Sequence, residues 1–187
     1  MSSVPKSKRN LSKFQAAHNL LELRGEITNL AIRQFGFSKE KYEEKIQRYA
    51  ECHKSARDVS EVVERYRAKN DWFSEWFIRE EQKIVLDMVR DIQTEFTIGN
   101  SIFPGNVDEE ITKAELMERR LHMDRAIASC YVLKNEIQYI IKTLPVDMNK
   151  YKRFSKMIET QIALIKGVRQ SDNRFIKKKG DRSVSDG

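Results

Sequence analysis

Apolar residues recur three and four positions apart over most of the 187-residue chain and nowhere alternate singly. That is the period of an α-helix and not of a strand. In the segment 11–35, Phe14, Ala17, Leu21, Arg24, Ile27, Leu30 or Ala31 and Phe35 follow the helical spacing, with Asn10 or Ser12 as N-cap and Gly36 as the stop. Ser38 opens a shorter helix whose shared face is Tyr42, Ile46, Tyr49 and His53, broken at Lys54–Asp58. After Ser60, Val63, Tyr66, Phe73 and Phe77 resume the period, with a kink or break expected near Asn70–Asp71 or else one continuous helix.

From 71 to 99, Phe73, Phe77, Ile84, Met88, Ile92 and Glu95/Phe96 make one stripe, closed by the loop NSIFPGNVD. The segment 108–144 is the longest. Leu116, Arg120, Met123, Ile127, Cys130, Lys134, Ile137, Ile141 and Leu144 form a heptad-like seam with two basic interruptions, Arg120 and Lys134. At 1.5 Å per residue it runs about 50 Å, so one end should overhang its neighbours. The short link at Pro145 forces an antiparallel hairpin, with Asp147 as N-cap, into a last helix carrying Tyr151, Phe154, Ile158, Ile162, Ile165 and Val168 to about Ser171.

The expectation is therefore an all-α protein. Four long amphipathic helices pack as an antiparallel four-helix bundle over residues 11–172, and 37–70 is a helical insertion between the first two bundle helices. Residues 1–10 form a basic arm, and residues 173–187, ending KKKGDRSVSDG, are too polar to order themselves. Seven glycines and three prolines are too few for a strand-and-turn architecture. No apolar run reaches the roughly 18 residues of a membrane span, and MSSVPKSKRN lacks the apolar stretch of a signal peptide, so the expected compartment is the cytoplasm.

Charge changes the picture. The chain carries 35 Lys+Arg against 28 Asp+Glu, a net +7, and the excess sits at the ends. Residues 1–13 hold Lys6, Lys8, Arg9 and Lys13 with no acid. Residues 166–187 hold Lys166, Arg169, Arg174, Lys177, Lys178, Lys179 and Arg182 against three acids. The 152 residues between carry 24 bases and 25 acids. Lys150, Lys152, Arg153 and Lys156 add a basic patch at the start of the last helix, where the helix dipole opposes cations. Basic extremities on a neutral body suit a polyanion, bound with strong salt dependence. Competing readings are tails that serve solubility alone and, less well supported by the apolar content, an anionic membrane surface.

Catalytic chemistry is not legible. His18, His53 and His122 stand apart from metal-ligand spacings, Glu118 and His122 being four apart where a di-iron bundle uses Glu-x-x-His twice. No metal or other cofactor is expected. Glu80, Glu81, Asp87, Asp91 and Glu95, interleaved with Arg79, Lys83 and Arg90, read as a solvated face of ion pairs. Cys52 and Cys130 form no CxxC pair, and Cys130 falls in the apolar seam. The cluster Trp72, Phe73, Trp76, Phe77 reads first as core, but its arc is wider than one bundle face needs. Trp72 and Trp76 are therefore candidates for a protein contact.

The seam MERRLHMDRAIASCYVLKNEIQYIIKTLP, the connector VDMNKY, the helix FSKMIETQIALIKGVRQSDNRF and the opening VPKSKRNLSKF resemble the accessory variability determinant (Avd-like) proteins of diversity-generating retroelements. These belong to the broad group of four-helix proteins encoded by intervening sequences of bacterial 23S rRNA genes. The resemblance covers residues 1–35 and 71–175, while 37–70 departs from the shorter members. It implies a noncatalytic, homo-oligomeric (pentameric) protein that binds RNA and DNA and associates with a reverse transcriptase and its template RNA during mutagenic cDNA synthesis. A scaffold binding another protein, and a stand-alone ribosomal-RNA-associated protein, are the alternatives.

Overall fold

A computed structural model describes residues 11–54, 58–104, 108–146 and 148–172, with backbone alone for 11–13, 74, 75 and 150. These residues form six helices and, among them, no strand: α1 (Leu11–Ile32), α2 (Lys39–Cys52), α3 (Val59–Trp72), α4 (Ile78–Ser101), α5 (Glu109–Thr143) and α6 (Lys152–Ser171). The arm 1–10 and the tail 173–187, with Asn10 and Asp147, lie outside the described residues.

Helices α1, α4, α5 and α6 touch in a closed ring, α1 on α4, α4 on α5, α5 on α6 and α6 on α1. Side-chain bonds fix the directions. Arg24 meets Gln93 and Gln82 meets the Ala31 carbonyl, so α1 and α4 are antiparallel. His122 with Glu95, and Phe77 with Tyr139, set α4 against α5. Lys134 with Glu159 and Arg169 with Asp124 set α5 against α6. Gln161 is wholly buried between α1 and α6, where its amide donates to the Ala16 carbonyl and accepts from Asn19. Helices α2 and α3 pair with each other through Arg67–Glu43, Lys39–Asp71 and the Tyr49–Tyr66 edge contact, and α3 runs into the π turn at Phe73–Phe77 that leads to α4.

The ends follow local chemistry. Ser38 Oγ accepts from Lys41 N, and Asp108 accepts from Glu110 N and Ile111 N, each satisfying first-turn donors that the helix leaves open. Helix α1 ends in three residues with left-handed backbone, Gln34, Phe35 and Gly36 (φ 51°, 54° and 75°). Only the glycine adopts that region without a Cβ penalty. Phe35 is held there because its ring is buried and its carbonyl accepts from the Tyr151 hydroxyl.

Several expectations are corrected. Ser12 lies inside α1 and so is not its cap. The face α1 buries is Ala16, Leu20, Leu23, Ile27 and Ala31, leaving Phe14 and Leu21 exposed. On α4 the buried stripe is Val85, Val89, Ile92 and Phe96, one position on from Ile84 and Met88. At Asn70–Asp71 the chain does not break: helix runs on into a π turn at Phe73–Phe77, whose extra residue shifts the phase between α3 and α4. The basic residue buried in the α5 seam is Arg119, not Arg120. Within the acidic series, Glu81 is buried.

Candidate nucleic-acid interface

Helices α5 and α6, antiparallel and side by side, leave two clefts along their shared outer face. One, of about 310 Å³, is lined by Arg120, Lys166, Arg169 and Gln170. The other, of about 380 Å³, has an apolar floor that includes Ile137, Ile141 and Ile158, with Lys134, Lys142 and Lys152 around it. Among the described residues that line them are six bases and no acid. Lys134 to Arg120 is fourteen residues of α5, so the clefts are about 21 Å apart along one seam.

The cations are differently held. Arg169 pairs with Asp124, and Lys134 Nζ with Glu159 at 2.5 Å, both across the α5–α6 seam. Lys166 Nζ lies 3.3 Å from the Tyr131 hydroxyl and 5.7 Å from that ring's centroid, a cation–π arrangement. Such pairs hold each base over the seam, and Glu159 and Asp124 offset part of the charge of Lys134 and Arg169. Among the described residues no carboxylate pairs with Lys142 or Lys152. The first turn of α6 contains no acid to offset Lys152 and Arg153, so the helix dipole adds to the positive field there.

The structure unites only some of the sequence candidates. Lys152, Lys166 and Arg169 come onto this face. Arg153 turns to α1 and pairs with Glu26 at 2.6 Å, and Lys156 is exposed one turn further along α6. Lys13 and Lys150 are placed by backbone only. Lys6, Lys8, Arg9, Arg174, Lys177, Lys178 and Lys179 lie outside the described residues. Sequence reasoning assigned Arg120 and Lys134 to a core seam and passed over Lys142; the heptad spacing locates the seam but not which side of it a long side chain leaves.

Beyond the clefts, two buried polar groups stand out. Arg119 and Asp172, both fully buried, pair at 2.9 Å, and Arg119 also donates to the Gly99 and Ile102 carbonyls at the end of α4. One guanidinium thereby ties the ends of α4 and α6 to α5. Glu81 on α4 faces Glu136 on α5. Burial first, then the Glu136 carboxyl and the charge of Glu80, push its pKa up to about 7. Burial also pushes the Cys130 thiol and the Tyr151 hydroxyl up to about 12, so each keeps its proton near neutral pH.

Trp72 and Trp76 are about half exposed, while Phe73 and Phe77 are buried. Phe73 packs against Phe37 and Tyr42, at 6.1 and 6.4 Å between ring centroids. Trp72 stacks on Phe77 and lies against Trp76. The two phenylalanines thus serve the interior and the two tryptophans form an outward aromatic pair. Among the described residues no group of three or more His, Cys, Asp or Glu gathers as a metal site, and no helix is long and apolar enough to cross a membrane. Comparison with protein-family models, with curated proteins and with solved structures gives no match.

Proposed function

We propose that the chain is a noncatalytic nucleic-acid-binding accessory protein, an antiparallel four-helix bundle of α1, α4, α5 and α6 carrying residues 37–70 as a helical insertion. It associates with a reverse transcriptase and its template RNA and supports mutagenic cDNA synthesis in a diversity-generating retroelement. The resemblance of the α5–α6 sequence supplies the polymerase and the homo-oligomeric, pentameric state; the cytoplasm is the matching compartment. The observation that carries nucleic-acid binding is the pair of clefts along α5–α6, lined among the described residues by six bases. Arg120, Lys166 and Arg169 there, with the basic termini, neutralise phosphates and release counterions.

The test is an electrophoretic shift with RNA in dilute salt, comparing the full chain with Lys166→Glu/Arg169→Glu. Loss of about tenfold or more in affinity is expected; equal affinity contradicts the assignment of this face. Co-purification of the reverse transcriptase encoded beside the gene, retained after nuclease treatment, tests the polymerase half.

A second reading, a scaffold that binds another protein, is favoured by one observation: Trp72 and Trp76 are exposed side by side at a π turn. A partner captured by the full chain, lost in Trp72→Ala/Trp76→Ala and unaffected by Lys166→Glu/Arg169→Glu, is its signature.

A further inference from the structure

The larger α5–α6 cleft differs in kind from the smaller. A phosphate site needs cations and donors, yet this one is walled by apolar side chains, half-buried Ile141 and exposed Met148 lying over buried Ile137, Ile158 and Tyr151. Met148 stands 66% exposed at its mouth. The cations ring the edge, Lys134 and Lys142 along one wall and Lys152 on the other. We propose that this groove takes unstacked bases of a single-stranded nucleic acid on its apolar floor while Lys134, Lys142 and Lys152 hold the flanking phosphates. The inference rests on the nucleic-acid reading above and narrows it to single strands.

Three features favour that occupant. First, a base offers an apolar face only when it is out of a duplex stack, and single strands bind where a charged groove runs beside such a surface. A duplex presents phosphates alone and satisfies the lysines without filling the floor. Second, Lys134 and Lys142 are two turns apart, about 12 Å along α5. That spacing suits a chain of repeated charges and exceeds what one anionic head group spans. Third, the Lys166–Arg169 cleft lies on the same seam about 21 Å away, a span that one extended strand covers. The chain's own termini are poor occupants, because both are basic and the rim repels them.

Ser155 lines the α6 wall of the groove, and Ser155→Trp fills it while leaving every lysine in place. The experiment measures, by fluorescence anisotropy at one ionic strength, binding of a single strand of about twelve nucleotides and of its blunt duplex to the full-length protein and to this variant. The wild type is expected to favour the single strand, and Ser155→Trp to lose about tenfold or more of that affinity with duplex binding unchanged. A fluorescent purine analogue within the strand should change emission on binding the wild type, which decides the matter even if the variant fails to fold. Equal affinity of wild type and variant for the single strand, or no change in the analogue's emission, overturns the proposal while leaving nucleic-acid binding intact. A fall in the variant's molar mass without nucleic acid present overturns it too, by assigning the groove to a second copy of the chain. Absence of binding to either nucleic acid overturns the broader functional reading instead.

Discussion

Glu81 places a carboxyl where a charge is poorly accommodated. Its Oε2 has no hydrogen-bond partner, and the group it faces, Glu136, is another acid. Because its pKa rises from 4.5 to about 7, the folded chain binds this proton more tightly than the unfolded chain does. Between those pH values stability falls as pH rises, and above them the loss is complete. Glu81→Gln should therefore melt at a higher temperature than the wild type near pH 8, with the gap closing toward about pH 5, read by thermal circular dichroism. A gap of opposite sign contradicts the protonated pair. Asp172→Ala leaves the Arg119 guanidinium buried and unpaired and should cost about 3–5 kcal/mol in urea unfolding. Of the two cysteines, Cys52 is exposed and Cys130 buried, so a thiol reagent should label one site on the native chain and both after denaturation. The seam position of Cys130 was legible in the sequence, while the burial of Arg119, Asp172 and Glu81 was not. Arg119 and Arg120 are neighbours on α5, and both fit a spacing of three and four between Leu116 and Met123, so the pattern does not separate them. Glu81 looked like its acidic neighbours because charge pattern records composition and not which face turns inward.

Among the elements, α4 shows what periodicity reads well and what it misses. Its existence, its end before Pro104 and its apolar character were legible. Of its expected stripe, Phe73, Phe77, Ile92 and Phe96 are buried, while Val85 and Val89 take the places of Ile84 and Met88, beyond a π turn at Phe73–Phe77 whose inserted residue no 3.6 template anticipates. For α1 the apolar residues run on two adjacent stripes, and spacing alone could not choose Ala16–Leu20–Leu23–Ile27 over Phe14–Ala17–Leu21. The choice is made by what the neighbours offer, here Gln161 of α6 bonding the Ala16 carbonyl. The long α5 was legible as such, at 35 residues. Bonds from Arg119 to the Gly99 carbonyl place the first turns of α5 past the end of α4, where Met117 and Ile111 are exposed, as the overhang required. At Gly99 the backbone of α4 lies close against α5. A Cβ there would lie 3.1 Å from His122 Cβ and 3.2 Å from the Arg119 carbonyl. Gly99→Val should consequently cost about 2 kcal/mol by overpacking, measured in the same urea experiment; a neutral effect would mean that α4 and α5 can separate freely.

At the scale of the molecule, charge at the chain ends was plain from counting, and the basic face on α5 and α6 was not. Lys134 and Lys142 come from α5, and Lys152, Lys166 and Arg169 from α6; the hairpin at Pro145 folds one helix back along the other and makes a single basic face of them. Linear sequence shows the hairpin but not the rotation of each helix about its axis, which decides that Arg153 turns to Glu26 while Lys152 turns to the groove. The functional account depends on this face meeting phosphates. Its most direct test is the affinity of the full chain for single-stranded RNA measured across a series of salt concentrations. Engagement of about five phosphates predicts a fall in log affinity against log salt with a slope near −3.5, made shallower in Lys166→Glu/Arg169→Glu. A slope of zero, or no binding even in dilute buffer, would contradict the account.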